Sequence, residues 1–562
     1  MNKRMILYIQ GAILLIEAAI MVLPIAAALI YREPSGIWFF YTALAAAIVG
    51  FAAMKLAKPR SKTIYAKEGL IAVAAGWIVL SLVGALPFTL SGEIPFYLDA
   101  VFEMISGFTT TGSSILPNVE ALSRCMLLWR SFSHWLGGMG ILVFMLAIVK
   151  MEGGQGIHLL RAESPGPTVG KMVPRMVDSS KILYSIYFAL TLVQLVFYLA
   201  GGMPLFDSLC NAFATAGTGG FAIRADSFAG YSPYLQTVTT VFMALFGVNF
   251  SIYFFLLQKK FDLALKNTEL RWYVGIILAS IALITANILP MYPSFHAAVH
   301  HAAFSVSSVI TTTGFCTENF DLWPEFSRVI LAFLMIVGAS AGSTGGGLKV
   351  SRLVILIRAA QVEVRRLIHP RTVKVMRIDG KVVGQDTVRA VSGYFILYVL
   401  ISLLSILLVS LDGYDGSTTI TAVLATFNNI GPGLGLVGPI GNFSMFSPLS
   451  KVVLCLDMLF GRLEIYPMLV LLLPSTWSKK TRKRRKKSRR RRSAGFLRVK
   501  KPRRVSPRRA KKMKIYFIRR LRRPEKFFTP RKCGICAPLA HKLCAQSRRN
   551  PLVKKAFAFL TV

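Results

Sequence analysis

Long apolar stretches recur through most of the chain and constrain its fold more than any other feature. A stretch of about 18 or more apolar residues is long enough to cross a bilayer as a helix. The first stretch is too long for a signal peptide and has no small-residue cleavage site before the next one. The sequence therefore predicts an all-α polytopic membrane protein. The candidate spans are residues 5–30, 37–54, 70–90, 126–149, 182–199, 235–257, 273–289, 329–337 (which stops short), 393–411 and 452–473.

The formal net charge of +42 is concentrated at the C-terminal end. Residues 476–562 hold 34 of the 67 Lys and Arg residues and a single acid, Glu525. We expect this polybasic tail either to be disordered, lying on anionic lipid or contacting nucleic acid non-specifically, or to be non-native sequence from a reading-frame error. No specific nucleic-acid partner is expected. The tail has metal-ligand residue types, but their spacing is shorter than in a zinc knuckle: Cys533, Cys536, His541 and Cys544.

The connections between the apolar stretches alternate in charge. The basic ones are residues 55–67, 150–181, 259–271 and 349–389, and the sparsely charged ones are 31–34, 91–95, 201–204 and 411–416. Because cationic loops stay in the cytoplasm, we expect both termini to be cytoplasmic. Several acids then fall outside the cell, where they are either simply solvated or concentrate cations at an outer mouth: Glu318, Asp321, Glu325, Asp412 and Asp415.

Four short segments share one pattern, in which a bulky apolar residue and three further residues precede a glycine. They run from Phe108 to Gly112, from Phe213 to Gly217, from Ile310 to Gly314 and from Phe427 to Gly431. Each follows a span and a short apolar stretch, and each precedes another span. An internal repeat changes the interpretation of the whole fold. It predicts two extra N-terminal helices (residues 1–60) and four membrane–pore–membrane units around a pseudo-fourfold pore: 61–155, 156–265, 266–375 and 376–475.

The repeated segments have the composition of a selectivity filter. Non-helical backbone at membrane depth is tolerated where it lines a cavity, and glycine lets carbonyl groups turn inward without a clash. Four such loops give a ring of oxygens that replaces the water shell of a monovalent cation. The alternative is ordinary loop punctuation or helix packing by small residues. The predicted K⁺ ligands are Thr110, Thr111, Gly112, Thr215, Ala216, Gly217, Thr312, Thr313, Gly314, Asn429, Ile430 and Gly431.

These segments resemble the potassium-uptake superfamily of bacterial Trk and Ktr membrane subunits and fungal and plant HKT/Trk transporters. Supporting motifs are 134–140 (HWLGGMG), 342–349 (GSTGGGLK) and 461–464 (GRLE), and the two extra N-terminal spans are similar to the TrkH/TrkG branch. The resemblance covers about residues 1–475. It implies K⁺ uptake in the bacterial inner membrane, with K⁺ as the transported ion and no cofactor. It also implies a homodimer and a cytosolic nucleotide-binding TrkA-type ring. Ala216 departs from the family pattern.

An intramembrane gate is predicted below the filter. Five glycines occur in residues 338–347, where a continuous helix is disfavoured. Arg462 falls inside the last span, where a charge is by default a functional residue. It either forms a barrier at the pore axis or pairs structurally with Asp457 or Glu464. The predicted gate residues are Gly342, Ser343, Thr344, Gly345, Gly346, Gly347 and Arg462.

Other functions fit the sequence less well. An intramembrane enzyme needs paired catalytic groups in one site, and the candidates are dispersed along the chain: Asp99, Glu103, His134, Asp207 and His296. We therefore expect a transporter and no enzyme. A sodium-permeable protein, or a Na⁺- or H⁺-coupled cation symporter of the same fold, is the alternative. A membrane-anchored nucleic-acid binder rests on the tail alone.

Overall fold

The computed structural model of the protein describes residues 2–58, 65–140, 176–370 and 375–477. The chain divides into two units, Met1–Trp477 and Ser478–Val562. The polybasic tail beyond residue 477, its Cys and His residues, the end of the span predicted at 126–149 and most of the basic connection 150–181 lie outside the described residues. All of the described helices and strands belong to the first unit.

Helices make up most of the described chain. In chain order they are α1 Lys3–Ile20, α2 Val22–Tyr31, α3 Gly36–Ala57, α4 Ala66–Gly84, α5 Leu86–Ser91, α6 Tyr97–Phe108, α7 Arg124–Met139, α8 Met176–Ala200, α9 Leu205–Gly217, α10 Pro233–Phe246, α11 Phe250–Leu257, α12 Phe261–Leu265, α13 Thr268–Ile288, α14 Phe295–Ile310, α15 Glu325–Val337, α16 Val350–Ile368, α17 Gln385–Val409, α18 Gly416–Phe427, α19 Pro448–Arg462, α20 Tyr466–Leu472 and α21 Pro474–Trp477. Short 3₁₀ turns lie at Val119–Ala121, Leu289–Met291, Phe320–Leu322, Ser410–Asp412 and Gly435–Val437.

A small β-ribbon departs from the all-helical prediction. Strands β1 (Arg377–Ile378) and β2 (Lys381–Val382) pair antiparallel within the basic connection before α17. Asp379 and Gly380 between them both have positive φ, at 50° and 73°, as a two-residue turn of this kind requires. The ribbon does not alter the helical character of the membrane unit.

The N-terminal helices pack through glycine. A Cβ on Gly11 of α1 would lie 2.6 Å from the carbonyl oxygen of Gly50 in α3, so the two backbones touch directly. Small residues at such crossings give membrane helices close van der Waals packing, since apolar burial supplies no driving force in lipid. On the outer faces, large apolar residues such as Ile30 and Phe51 are 75% and 62% exposed, as contact with lipid requires.

The described residues contain fewer unbroken spans than the whole sequence predicts. In the part of the chain that is described, six helices are long and apolar enough to cross a membrane, or seven if one bent pair counts as a span. The sequence predicts about ten. The difference arises at the helices that follow the four repeated segments, which are short in the described part of the chain: α7, α10, α15 and α19 have 16, 14, 13 and 15 residues.

Breaks in these following helices are more general than predicted, since the sequence indicated a break only after α15. The axes of α10 and α11 differ by 91° across residues 247–249, where the side chain of Asn249 caps α11 by accepting from the Ser251 amide at 2.9 Å. The last span is also split, because Glu464 and Ile465 have φ of 60° and 61° between α19 and α20. The apolar stretches 235–257 and 452–473 are therefore not continuous helices.

Short helices α6, α9, α14 and α18 each end at one of the repeated segments. Acidic or polar residues lie at their starts, as suits helix N-termini. For example, Asp415 precedes α18 and accepts a hydrogen bond from the Thr418 amide at 3.0 Å. Hydrogen bonds from Thr418 lower the pKa of the Asp415 carboxyl below its usual range. These four helices determine where the repeated segments lie.

Candidate ion pathway

Four loops at the ends of these short helices share one backbone conformation. We define loops 1 to 4 as residues 109–112, 217–220, 311–314 and 428–431. The second residue of each loop has positive φ although it is not glycine: Thr110 (54°), Thr218 (55°), Thr312 (59°) and Asn429 (56°). The fourth residue is a glycine with positive φ in every case: Gly112 (82°), Gly220 (73°), Gly314 (86°) and Gly431 (104°).

Their hydrogen bonds repeat as well. The amide of the third residue in each loop donates to the carbonyl five residues earlier, in the last turn of the preceding helix. The four bonds are Thr111 to Ser106 (2.8 Å), Gly219 to Ala214 (2.9 Å), Thr313 to Ser308 (2.8 Å) and Ile430 to Ala425 (2.8 Å). Agreement in both dihedral angles and hydrogen bonds establishes which positions correspond among the four loops.

This correspondence corrects the register predicted for the second loop. Thr215, Ala216 and Gly217 lie in the last turn of α9, and the Thr215 hydroxyl donates to the Asn211 carbonyl within that helix at 2.7 Å. The positions equivalent to Thr110, Thr111 and Gly112 are Thr218, Gly219 and Gly220. Gly217 satisfies the apolar-x₃-Gly pattern, but it is the last helical residue of α9 and only the first residue of loop 2. The more informative pattern is Thr or Asn, one residue, then glycine.

The loops contact one another in a closed circular order. A Cβ added to the fourth residue of one loop would meet the carbonyl oxygen of the third residue of the next. The contacts are Gly112 with Gly219 (2.0 Å), Gly220 with Thr313 (1.9 Å), Gly314 with Ile430 (2.0 Å) and Gly431 with Thr111 (3.0 Å). Together with the positive φ, these distances mean that glycine alone fits the fourth position without strain. The residues predicted in loops 1, 3 and 4 occupy the second to fourth positions of these loops.

A cavity of about 100 Å³ lies beside the ring, on the side of the residues that follow each loop. All four ring glycines line it, together with the segments after them. Hydrogen bonds join loops 1 and 4 at this ring. The side-chain Nδ2 of Asn429 donates to the Thr111 hydroxyl at 2.9 Å, and the Ser113 hydroxyl donates to the Gly431 carbonyl at 3.1 Å. Loops 1 and 4 are thus joined to each other by polar contacts.

The glycine loop, residues 338–347, lies against the opposite side of the ring. The Gly346 amide donates to the Thr312 hydroxyl at 2.6 Å. A Cβ on Gly345 would lie 2.8 Å from the Thr311 carbonyl oxygen, and one on Gly346 would lie 2.3 Å from that of Asn428. The backbone of the glycine loop therefore packs directly under loops 3 and 4, where bulkier residues would not fit.

Arg462 joins this glycine loop to another helix. Its guanidinium donates to the carbonyl oxygens of Thr344 at 2.7 Å and Gly138 at 2.7 Å, and also to that of Gly137. Gly137 and Gly138 lie in the last turn of α7, where helix carbonyls lack intrahelical partners and attract a cation. Arg462 therefore bridges α19, α7 and the glycine loop.

The two acids predicted as possible partners of Arg462 also contact other residues. The Asp457 carboxylate accepts from the Ser405 hydroxyl at 2.7 Å. Glu464 forms a salt bridge with Arg352 of α16, whose guanidinium also lies 4.0 Å from the centre of the Tyr394 ring.

Lys349 is a second cation at the glycine loop, and it is not among the gate residues predicted from the sequence. It is 3% exposed, and its ammonium donates to the carbonyls of Gly346 at 3.0 Å and of Gly345. The sequence signal for Lys349 is its position two residues after three consecutive glycines, residues 345–347. Two cations thus hold the carbonyl groups of one short, buried segment.

The acids considered for an enzyme each have a cation of their own. Asp99 lies 2.7 Å from Lys451, Asp207 lies 3.7 Å from Arg224, and Glu103 lies 2.7 Å from Arg130. His134 packs its ring against loop 2 and accepts from the Phe221 amide at 3.3 Å. In the part of the chain that the structure describes, these groups lie in separate contacts and form no single catalytic constellation.

These helices and loops define the chain as a polytopic α-helical membrane protein with a ring of four equivalent loops. The chain belongs to the family whose model, described as "TrkH: Cation transport protein", matches residues 38–480. The Trk system potassium uptake protein TrkH of Salmonella typhimurium is 36% identical over 484 residues, 85% of this chain and 100% of that protein. TrkG of Escherichia coli K12 is 32% identical over 482 residues, 85% and 99% of the two chains. The crystal structure of the potassium transporter TrkH from Vibrio parahaemolyticus matches with a TM-score of 0.77 and 33% identity, covering 85% and 100%.

Membership of this family confirms the resemblance and the helical membrane fold predicted from the sequence. It makes the chain a transport protein of the bacterial inner membrane and not an enzyme, so it requires no cofactor. The similarity to TrkH of Salmonella typhimurium covers that relative in full but only 85% of this chain.

Proposed function

We propose that this protein takes up K⁺ across the cytoplasmic membrane through a selectivity filter formed by loops 1 to 4. The observation that carries the proposal is the closed ring in which each positive-φ glycine faces the carbonyl of the next loop. The related proteins of Salmonella and Escherichia coli are named as potassium uptake proteins, which favours the same ion here.

Ring chemistry suits K⁺. Backbone carbonyls and the hydroxyls of Thr111 and Thr313 are neutral oxygen ligands, which replace the hydration shell of an alkali cation. Helices α6, α9, α14 and α18 end at the ring, so the partial negative charges of their C-termini lie next to it. The filter ligands in this proposal are the second to fourth residues of each loop, with Thr218, Gly219 and Gly220 from the second.

The proposed organisation rests on the same correspondence. Residues 1–60 form two extra helices, and residues 61–155, 156–265, 266–375 and 376–475 form four pore units, each with a short helix and a loop. The loops of the four units share one φ pattern and one set of hydrogen bonds, which supports the division into four repeats. The second membrane helix of each unit is interrupted or short at the level of the ring.

Gating is assigned to the glycine loop and Arg462. The loop packs under loops 3 and 4, and a fixed positive charge bonded to Thr344 lies beside it. The guanidinium stays charged at any physiological pH, so it opposes passage of a cation wherever the two come close. The glycine loop can change shape because glycine restricts φ and ψ little.

The proposal also includes the orientation of the chain in the membrane and the partners of the protein. The basic connections favour a cytoplasmic location for both termini. The family resemblance favours a homodimer and a cytosolic nucleotide-binding ring of the TrkA type, for which the basic helix α16 and the β-ribbon offer a docking surface. A positive-inside topology signal alone accounts equally well for the charges of that segment.

The test is growth of bacteria that lack their own K⁺ uptake systems. Expression of this chain should restore growth at low external K⁺, and uptake of Rb⁺ as a tracer should be inhibited by K⁺ more strongly than by Na⁺. Two results would favour the coupled-symporter alternative. One is restored growth that requires Na⁺ in the medium, and the other is Rb⁺ uptake that is driven by a pH gradient without selectivity for K⁺. An expressed, membrane-inserted protein that does not restore growth would refute the proposal.

A further inference from the structure

A buried ion pair lies directly beside the entrance of the ring. The guanidinium Nη2 of Arg130 in α7 is 2.7 Å from Oε1 of Glu103 in α6, and the side chains are 2% and 0% exposed. The Nε of Arg130 donates to the same carboxylate oxygen at 2.8 Å. Removing two charges from water is costly and is compensated only by close geometry and further hydrogen bonds.

Those further contacts go to the chain immediately after loop 1. The carboxylate of Glu103 accepts from the Ser114 hydroxyl at 3.0 Å and from the Ile115 amide at 3.0 Å. Ser114 is two residues beyond the ring glycine Gly112. The carboxylate therefore fixes the exit of loop 1 against the first short helix.

On the other side, the cation contacts the chain immediately after loop 2. The guanidinium of Arg130 lies 4.0 Å from the centre of the Phe221 ring, and its Nη1 donates to the Ala222 carbonyl at 3.4 Å. Phe221 directly follows the ring glycine Gly220. The ion pair thus connects the exits of loops 1 and 2 through one rigid, charge-assisted unit.

Neighbouring loops are also joined at the other three junctions, but by hydrogen bonds. The Phe228 amide donates to the Cys316 carbonyl at 2.9 Å between the segments after loops 2 and 3. The Gly435 amide donates to Asp321 at 3.1 Å between those after loops 3 and 4. Ser113 donates to the Gly431 carbonyl at 3.1 Å between loops 4 and 1.

We propose that Glu103 and Arg130 are positioning residues that set the distance between loops 1 and 2 and thereby the K⁺ over Na⁺ selectivity of the ring. This inference rests on the proposed filter. Carbonyl oxygens discriminate between K⁺ and Na⁺ through their number, field and spacing, so the junction that holds two loops apart determines selectivity even though neither side chain touches the ion.

The competing explanation is purely electrostatic, because Arg130 also lines the entrance cavity. Glu103→Gln leaves a net positive charge there and Arg130→Gln leaves a net negative one. If charge alone matters, the two variants change cation conductance in opposite directions and leave the permeability ratio unchanged. If positioning matters, both variants lower the K⁺/Na⁺ permeability ratio.

The experiment measures that ratio from bi-ionic reversal potentials of purified protein in bilayers, with membrane abundance as a second readout. We expect each variant to lower it by about tenfold, which corresponds to about 1.4 kcal/mol of lost discrimination. Arg130→Lys keeps the charge but not the two-pronged contact, and it should restore the ratio only in part. Arg124→Gln is the matched control, since Arg124 lies on the same helix but stacks on Tyr31 at 4.3 Å.

A further variant guards against misfolding caused by an unpaired buried charge. Phe221→Leu removes the ring beneath the guanidinium without removing either charge, and we expect a smaller fall in the same ratio. Two results would refute the positioning role: an unchanged K⁺/Na⁺ permeability ratio in variants of normal abundance, or opposite shifts of conductance without a change of that ratio. Neither result would contradict the proposed filter if the wild-type protein is selective for K⁺. A wild-type protein without preference for K⁺ would instead refute the proposed filter, and the inference with it.

Discussion

The ring glycines combine two requirements, a close approach to a neighbouring carbonyl group and a positive φ. At Gly112 and Gly220, an added Cβ would lie 2.0 Å and 1.9 Å from a neighbouring carbonyl oxygen, well inside contact distance. Positive φ adds strain for any residue with a side chain. A substitution at these positions therefore moves a carbonyl that is proposed to bind the ion, so its effect should appear in selectivity before it appears in folding.

Gly220→Ser should lower the K⁺/Na⁺ permeability ratio as strongly as Gly112→Ser, because both glycines hold equivalent places in the ring. Permeability ratios from bi-ionic reversal potentials measure this. Gly275→Ser is the control, since nothing lies within 4 Å of a Cβ at Gly275 in α13. An unchanged ratio in the Gly220 variant, with a lowered ratio in the Gly112 variant, would show that the assigned register of loop 2 is incorrect.

Replacing Arg462 tests the barrier at the same scale. Two unit charges 4 Å apart repel by about 4 kcal/mol at an effective dielectric constant of 20, and about 1.4 kcal/mol corresponds to tenfold in rate. Arg462→Ala removes this repulsion and frees the Thr344 carbonyl, so K⁺ flux per molecule should rise with little change in selectivity. Arg462→Lys keeps the charge and should raise flux less. Lower flux at normal membrane abundance would contradict the barrier, and loss of abundance would indicate a structural role.

At the scale of elements, the interruptions in the membrane helices decide how the pathway is built. The glycine loop between α15 and α16 reaches the underside of loops 3 and 4 because α15 ends after 13 residues. The bend of 91° between α10 and α11 brings Gly247 and Asn249 toward this segment, where the Gly247 carbonyl accepts from the Ser340 amide at 3.1 Å and the Phe250 amide donates to the Gly342 carbonyl at 3.0 Å. The glycine loop is thus held from several sides.

Shortening the glycine loop should open the pathway. Deleting Gly345 and Gly346 removes the backbone that packs under the ring, and Lys349→Met removes the ammonium that holds the Gly346 carbonyl at 3.0 Å. Both changes should raise K⁺ flux per molecule, the deletion more, and leave the K⁺/Na⁺ ratio nearly unchanged because the ring is elsewhere. Reduced flux in both variants at normal abundance would mean that the loop supports the pathway and does not close it.

At the scale of the whole molecule, hydropathy was sufficient for the membrane character and most span positions, because a long apolar window is a local property. Hydropathy does not predict the breaks in the membrane helices, because residues 235–257 stay apolar through a bend of 91°. The sequence gives the second loop a different register from the structure, because Phe213 and Gly217 satisfy the repeated pattern while the position of the loop depends on where α9 ends. Glu103 and Arg130 were not paired, because only the fold brings residues 27 positions apart together.

Truncation after Ser478 is predicted to preserve membrane insertion and K⁺ transport. All four loops, the glycine loop and Arg462 lie before that point, and the similarity to the Salmonella relative already covers that relative in full. Membrane abundance and tracer uptake should be the same for the truncated and the full-length chains. Lost transport in a truncated protein of normal abundance would show that the tail takes part in function.

The most direct test of the central claim is the reversal potential of the purified protein in a planar bilayer with K⁺ on one side and Na⁺ on the other. A ring of four carbonyl-presenting glycine loops predicts a large reversal potential whose sign and size correspond to a K⁺/Na⁺ permeability ratio well above one, and which is insensitive to a pH gradient. A reversal potential that follows Na⁺ as closely as K⁺, or that shifts with the proton gradient, would contradict a K⁺-selective filter at loops 1 to 4.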